Sequence, residues 1–219
     1  MDFGNMIGES FEYAKDAVFG NYKKWLMLVV ATILLGIPLF GYLMKVLRGE
    51  DPSPEVEGWG TLFVDGIKYL AVALIYAIPL IIVGIMIVRA VVAGMTAGTL
   101  ADMMTAFGLM AVGLVIMVII AIFIAVFEII GVVRFARTGN IGEAFNFKAI
   151  LVTIKKLRWG QYLIAFDIMI IAAFIMEIIG NVLMIIPVIG GFICLFLIPP
   201  FTLFIARYMC ILYDNAGIA

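Results

Sequence analysis

The chain has 219 residues with a formal net charge of -1; 66% of the residues are hydrophobic and 13% are charged. Soluble domains average ~45–50% apolar and ~25% charged residues, so this composition predicts an integral membrane protein, all-α, in contact with the lipid bilayer. The near-zero net charge excludes nucleic acid as a partner, because neutralising its phosphates requires a basic surface.

The N-terminal segment, residues 1–24, carries four carboxylates and no small-residue cleavage site, so we interpret it as the start of the mature protein. It contains the heptapeptide IGESFEY at residues 7–13, which returns as IGEAFNF at residues 141–147. Basic residues, a Trp and a long apolar run follow each copy. Internal repetition indicates duplicated structural units. We predict one polytopic domain, 1–219, with repeat units of about 1–58, 59–140 and 141–219.

Five apolar runs are near the length of about 20 residues that crosses a hydrocarbon core. They cover residues 25–47, 70–92, 107–133, 162–179 and 183–208. Their connections are predicted to be a polar loop, a short linker and a tight hairpin. The loop covers residues 49–58, the linker residues 94–105, and the hairpin turns at Gly180 and Asn181.

Amphipathic stretches precede the membrane units and predict helices that lie in the headgroup plane, with their apolar side toward lipid. The last one places five apolar residues on one face: Phe147, Ile150, Leu151, Ile154 and Leu157. Residues 60–68 resemble a shortened copy. Glu9 and Glu143 are predicted to open two of these helices, since acids favour helix N-termini. The simpler alternative is that these helices only link the spans.

The first apolar run allows two topologies. If all five runs cross, the 14 Lys and Arg residues divide ten to four between the two sides. However, IPLFG at residues 37–41 resembles IPVIG at residues 186–190 and predicts a turn at residues 36–41, leaving two halves of about 17 Å each. The first run is then a re-entrant hairpin beside four spanning helices, and only Arg89 lies on the far side. We favour this topology because a partition of thirteen to one is cleaner than ten to four. The positive-inside rule then places both termini in the cytoplasm. Five spanning helices are the alternative.

The sequence lacks the residues that several classes of catalytic and metal-binding site require. The chain has no His, which excludes the usual haem ligand, His-containing zinc sites and Ser-His-Asp triads. Its only serines are Ser10 and Ser53, outside the apolar runs, and Cys194 and Cys210 have no Cys-x-x-Cys spacing. We therefore predict that the protein is not an enzyme and has no catalytic residue, metal site or cofactor.

Among the ionisable residues inside or near the apolar runs, where charge is costly and often functional, four are candidates for a site. Arg89 and Glu177 are predicted near the same membrane face and are candidates for a charge pair, either structural or acting as a gate. Glu128 and Asp167 are predicted near the cytoplasmic side. They are candidate carboxylates of a cation or proton site, or simply reach the headgroups.

Small residues recur at every fourth position in Ala90, Gly94 and Gly98. This spacing allows two helices to approach closely in lipid, where packing rather than hydrophobicity drives association. The stripe is therefore a candidate for helix packing within the chain or for a subunit interface.

Several segments resemble one uncharacterised family. They are MDFG at residues 1–4, GYL at 41–43, VLRGE at 46–50, LFVDGIK at 62–68 and GEAF at 142–145. They are similar to archaeal and bacterial membrane proteins known as domain of unknown function 4013. The resemblance implies a prokaryotic protein of the cytoplasmic membrane, and it brings no catalytic residues with it.

Two functions of different classes remain open. The first is a non-enzymatic scaffold or accessory protein, a homo-oligomer that shapes the membrane or docks a protein partner. The second is a small oligomeric channel or transporter for ions or small solutes, because re-entrant hairpins, repeats and intramembrane charges are features of permeation proteins. The apolar runs hold few hydroxyl or amide side chains to line a wet path, which favours the first function.

Overall fold

The computed structural model describes residues 1–186 and 188–217. Within these ranges the chain forms eight α-helices and one 3₁₀ helix, without any β-strand. The helices are α1 (Phe3–Val18), α2 (Tyr22–Ile33), α3 (Ile37–Leu47), α4 (Trp59–Ala97), α5 (Leu100–Thr138), the 3₁₀ helix (Ile141–Phe145), α6 (Phe147–Leu157), α7 (Trp159–Leu183) and α8 (Ile189–Asp214). The all-helical prediction is confirmed for this part of the chain.

Four of the described helices, α4, α5, α7 and α8, are long enough and apolar enough to cross a membrane. This agrees with the four predicted spanning helices. At 1.5 Å per residue, the 39 residues of α4 make a helix about 58 Å long. The helix α5 has the same length. Because a hydrocarbon core is ~30 Å thick, a part of each of these two helices lies outside it.

Two predicted connections and one predicted amphipathic segment differ from the structure. Only Gly98 and Thr99 separate α4 from α5, and the rest of the predicted linker, 94–105, is helical. Residues 60–68 form the first turns of α4 rather than a separate helix. Gly180 and Asn181 lie inside α7, where the Asn181 side-chain amide donates to the Glu177 carbonyl oxygen at 2.8 Å and supports the helix.

The first apolar run does not form one continuous helix. Leu35 and Gly36 have φ values of 59° and 70°, a left-handed backbone that ends α2 and favours glycine. The predicted turn is too long, since α3 begins at Ile37 with Pro38 in its first turn, where the missing N–H costs nothing. Packed against each other, α2 and α3 form a helical hairpin. Its re-entry into a membrane stays a prediction. Pro187, in the matching motif, lies outside the described residues.

The chain divides into two compact units. Unit 1 comprises Met1–Leu70 and Ile129–Ala219, and unit 2 comprises Ala71–Glu128. In unit 1, α8 contacts α1, α2, α3 and α7 and is therefore the central helix.

Two glycines let the start of α4 approach α3 within unit 1. A methyl group at Gly41 would lie 1.9 Å from the Leu62 carbonyl oxygen, and one at Gly66 would lie 1.9 Å from the Ile37 carbonyl oxygen. No side chain fits at these distances, so the crossing of α3 and α4 requires glycine at both positions.

The first and last predicted amphipathic stretches are helical, as α1 and α6; their location at the membrane surface stays a prediction. Ile150, Ile154 and Leu157 of α6 are buried by the chain itself, whereas Phe147 is 50% exposed. Most of this apolar face therefore packs against the protein rather than being left for lipid. The carboxylate of Asp2 caps α1 by accepting from the backbone N–H of Asn5. Glu9 lies in the middle of this helix, so the prediction that Glu9 opens it is wrong.

A pair of prolines breaks the hydrogen bonding of α8, and α2 compensates for the break. Pro200 has no N–H, so the carbonyl of Phe196 one turn earlier loses its partner in the helix. The indole Nε1 of Trp25 donates to this oxygen at 3.0 Å. The indole also meets the Phe196 ring edge-on, with 5.6 Å between centroids. A lipid environment offers the carbonyl no other donor.

We expect Trp25→Phe to destabilise the protein by about 1–3 kcal/mol, because it leaves a partly buried carbonyl without a donor. The measurement is thermal unfolding of the purified protein in detergent. In a Pro200→Ala background the helix regains an N–H for the Phe196 carbonyl, so the same substitution should cost less.

The two single variants and the double variant form a cycle that isolates this hydrogen bond from the loss of ring volume. Trp159→Phe serves as a control for the loss of an indole elsewhere in the chain. Equal costs of Trp25→Phe with and without Pro200 would contradict the compensation.

Candidate functional site

The loop between α3 and α4, residues 48–58, is held to the helices of unit 1 by charge pairs and hydrogen bonds. Arg207 of α8 pairs with Asp51 at 2.5 Å, and Lys24 of α2 pairs with Glu55 at 3.0 Å. The Lys24 ammonium also donates to the carbonyl and hydroxyl oxygens of Ser53. Lys24 is only 5% exposed, so this buried charge is fully compensated, as a buried charge must be. The loop is therefore held in place by its contacts with α2 and α8.

Tyr13 links α1 to the same loop. Its hydroxyl donates to the Glu50 carbonyl oxygen at 3.0 Å, and the Arg207 guanidinium lies over its ring, 4.7 Å from the centroid. Burial raises the pKa of Tyr13 above its ordinary value, although the positive charge of Arg207 opposes this shift. The hydroxyl therefore stays protonated and remains a donor at neutral pH.

Between α1, this loop and α8 lies a polar cavity of about 430 Å³, which we call the acidic cleft. Its charged lining consists of five carboxylates and two cations: Glu9, Glu12, Asp16, Asp51, Glu55, Lys24 and Arg207. Tyr13, Pro52 and Ser53 complete the wall. Since both cations are already paired with loop carboxylates, the cleft presents a net negative charge.

The unpaired charge of the cleft comes from α1. Glu9, Glu12 and Asp16 follow the spacing i, i+3, i+7 and so lie on one face of the helix. None of the three forms an ion pair with a described residue; the carboxylate of Glu9 accepts only from the uncharged Asn5 amide, at 2.7 Å. This face of α1 can therefore receive cationic groups.

An apolar groove of about 480 Å³ lies in the same unit. Side chains of α1, α2, α7 and α8 line it, among them Phe11, Trp25, Ile175 and Phe204, with Lys15 as its charged member. Its walls are almost entirely carbon, so it can hold hydrocarbon but offers no group for chemistry.

The predicted ionisable pairs are distributed over both units. Arg89 and Glu128 belong to unit 2, and Asp167 and Glu177 belong to unit 1. Arg89, Asp167 and Glu177 are exposed, whereas Glu128 is half-buried. The Glu177 carboxylate accepts from the Asn181 amide at 2.9 Å. The charge pair of Arg89 with Glu177 and the joint site of Glu128 with Asp167 stay predictions.

The predicted small-residue stripe lies in unit 2. A methyl group at Gly94 would lie 2.3 Å from the Ala106 side chain, so Gly94 packs closely against α5. Ala90 and Gly94 also line a cavity of about 320 Å³ between α4 and α5. Gly98 is not part of this helix face, because its φ of 81° places it in the connection. A subunit interface at this stripe stays a prediction.

Arg134, at the end of α5, pairs with Glu143 of the 3₁₀ helix. Together with a hydrogen bond of 3.1 Å from the Asn146 amide, this contact holds the pKa of Glu143 below its ordinary value. Glu143 is therefore ionised at neutral pH. It binds side chains at a helical turn rather than acting as a simple cap.

The acidic cleft was not predicted from the sequence, because its residues come from four segments that the fold brings together: α1, α2, the α3–α4 loop and α8. The only local signal was the density of carboxylates in residues 49–58 and in α1. Charge density alone indicates a solvated surface, and only the tertiary structure places the two segments on the same cavity.

Comparison with known proteins identifies one family. A sequence model described as "Protein of unknown function (DUF4013)" matches residues 25–185, about three quarters of the chain. This match confirms the predicted resemblance. No curated protein matches the chain, and no solved structure matches it.

Proposed function

We propose that this chain, which belongs to the DUF4013 family, is a non-enzymatic multi-pass membrane scaffold or accessory protein that docks a basic segment of a protein partner. The acidic cleft carries this proposal. It is the polar cavity whose walls are built from α1, the α3–α4 loop and α8, outside the apolar centres of the spanning helices.

Charge complementarity selects the occupant. Asp51 and Glu55 are already neutralised by Arg207 and Lys24, so a ligand meets the three unpaired carboxylates of α1. A Lys- or Arg-rich segment supplies the opposite charge, which guides encounter and selects against acidic partners. The chain has no His, which supports a non-enzymatic role for this site.

Self-association completes the proposed scaffold. Arg89 and Glu177 lie in helices that can cross a membrane, and both side chains are exposed. Charges within spans normally face other protein or water rather than lipid. A second copy of the chain covers these charges, and the small residues around Gly94 allow close helix approach.

The proposed topology places both termini and the acidic cleft on the cytoplasmic side of the cytoplasmic membrane. The helical hairpin of α2 and α3 supports this arrangement, because each helix is too short to cross: α2 has 12 residues and α3 has 11. The hairpin then dips into the membrane and returns, while α4, α5, α7 and α8 cross it.

Cysteine labelling tests this topology in a background with both native cysteines replaced. With a membrane-impermeant maleimide applied to whole cells, Thr99→Cys should react, because the α4–α5 connection lies outside. Glu57→Cys, in the loop after the hairpin, should react only after the cells are permeabilised. Five spanning helices, with the more basic side in the cytoplasm, predict the same pattern at these two positions but place residues 1–24 outside. Reaction of Asn5→Cys in whole cells would therefore refute the re-entrant hairpin.

Binding of a decamer of alternating Lys and Arg to the purified protein in a zwitterionic detergent tests the docking site. We expect the variant Glu12→Gln/Asp16→Asn to bind this peptide about tenfold more weakly, at the upper end of what two exposed charge pairs contribute. The matched control, Glu50→Gln/Glu57→Gln, changes the net charge equally with exposed carboxylates that do not line the cleft. Equal losses in the two variants would show that only net charge matters and would refute the cleft as the docking site.

A small oligomeric channel or transporter is the second candidate, favoured by the exposed charges of Arg89 and Glu177 within possible spans. Purified protein in liposomes should give no ion flux above that of empty liposomes if the scaffold proposal is correct. A specific flux that Glu177→Gln or Arg89→Ala abolishes would overturn it in favour of permeation. Liposomes that contain these variants at the same protein density show whether a flux is non-specific leakage through the membrane.

A further inference from the structure

A second charged cavity, of opposite sign, lies where α5 ends and α6 begins. Its volume is about 360 Å³. Three cationic side chains line it, Arg134 of α5 and Lys148 and Lys156 of α6, and no carboxylate does. We call it the cationic pocket. In a chain with a net charge of -1, such a local excess of positive charge indicates an anionic ligand.

The two lysines are available to a ligand. Lys148 and Lys156 lie eight residues apart, on the same face of α6, with Val152 between them. Both are exposed, and neither forms an ion pair with a described residue. Of the three cations, only Arg134 has a carboxylate partner, Glu143. The pocket therefore keeps a net positive charge even after this pair is counted.

Hydrogen-bonding groups supplement the charges. The Nε of Arg134 is buried and has no hydrogen-bond acceptor among the described residues. Its guanidinium can therefore donate one further hydrogen bond to a ligand. Asn146 and Thr153 are further polar members of the wall. Guanidinium and ammonium donors converging on one cavity are the groups that bind phosphate oxygens.

Apolar side chains beside the pocket indicate where its ligand comes from. Phe147 and Val152 of α6 are 50% and 48% exposed, and Trp159 is the first residue of α7, a helix that can span a membrane. Exposed aromatic residues at the start of a span are typical of the membrane–water interface. The pocket therefore lies near the level of lipid headgroups.

We infer that the cationic pocket binds the phosphate of an anionic lipid headgroup, with Lys148 and Lys156 as the principal contacts and Arg134 behind them. Basic pockets at the ends of spanning helices bind such headgroups in other membrane proteins. This site is separate from the acidic cleft, so it can be present whether or not the cleft docks a partner.

Native mass spectrometry of the purified protein, equilibrated with mixed micelles of phosphatidylglycerol and phosphatidylcholine, tests the inference. The intact protein should retain phosphatidylglycerol in preference to phosphatidylcholine. Lys148→Gln/Lys156→Gln should lower this preference about 25-fold, because each lysine near an anionic surface contributes the equivalent of roughly a fivefold change. The melting temperature of the variant should equal that of the unmodified protein, since both side chains are exposed.

Lys15→Gln/Lys23→Gln is the matched control, since it removes two lysines of the N-terminal segment and should leave the preference unchanged. An equal loss in this control would overturn the inference, because net charge alone would then explain retention. Millimolar inorganic phosphate is added in a further arm. Displacement of the lipid by phosphate, or phosphate binding without any lipid preference, would identify a free anion as the ligand and would also overturn the inference.

Discussion

The hydrocarbon core of a bilayer offers the backbone no hydrogen-bond partner, and the structure of this chain follows from that constraint. A long helix without an internal proline meets it directly, as in α5. The proline at position 200 of α8 violates this requirement, because the Phe196 carbonyl has no N–H partner within the helix. Trp25 supplies the missing donor. The packing of α2 on α8 therefore satisfies a backbone carbonyl in addition to burying apolar side chains.

Exclusion from lipid also concentrates the charged residues. In unit 1, ion pairs join the α3–α4 loop to α2 and α8 through Lys24 and Arg207. At the end of α5, Arg137 binds Asp214 at 2.8 Å and donates to the Leu47 carbonyl at 2.9 Å. These contacts order a polar layer at the helix ends. Once the cations are paired in this way, the carboxylates of α1 remain as the acidic cleft, and the lysines of α6 remain as the cationic pocket.

The sequence predicted the fold best where the pattern was long and repetitive. Each spanning helix contains a long apolar run, and four helices of sufficient length are present. Single residues that can break a helix, such as glycine, were less informative. Gly36 has a positive φ and ends a helix, whereas Gly180 lies inside α7. The residue type alone therefore does not predict where a helix ends. The difference is decided by neighbours: Asn181 bonds back to Glu177 and supports α7 through the glycine.

Composition and periodicity alone determined that this chain is helical and that its long apolar helices suit a membrane. Those properties depend on the free energy of transferring side chains from water to lipid, which is additive along the chain. Only the tertiary structure decided which charges are neutralised and which remain available. Glu55 and Glu12 are both exposed carboxylates, yet one pairs with Lys24 and the other faces an open cleft. Pairing requires two groups within about 4 Å, and such a distance between segments far apart in the chain is set by the packing of α1, α2 and α8.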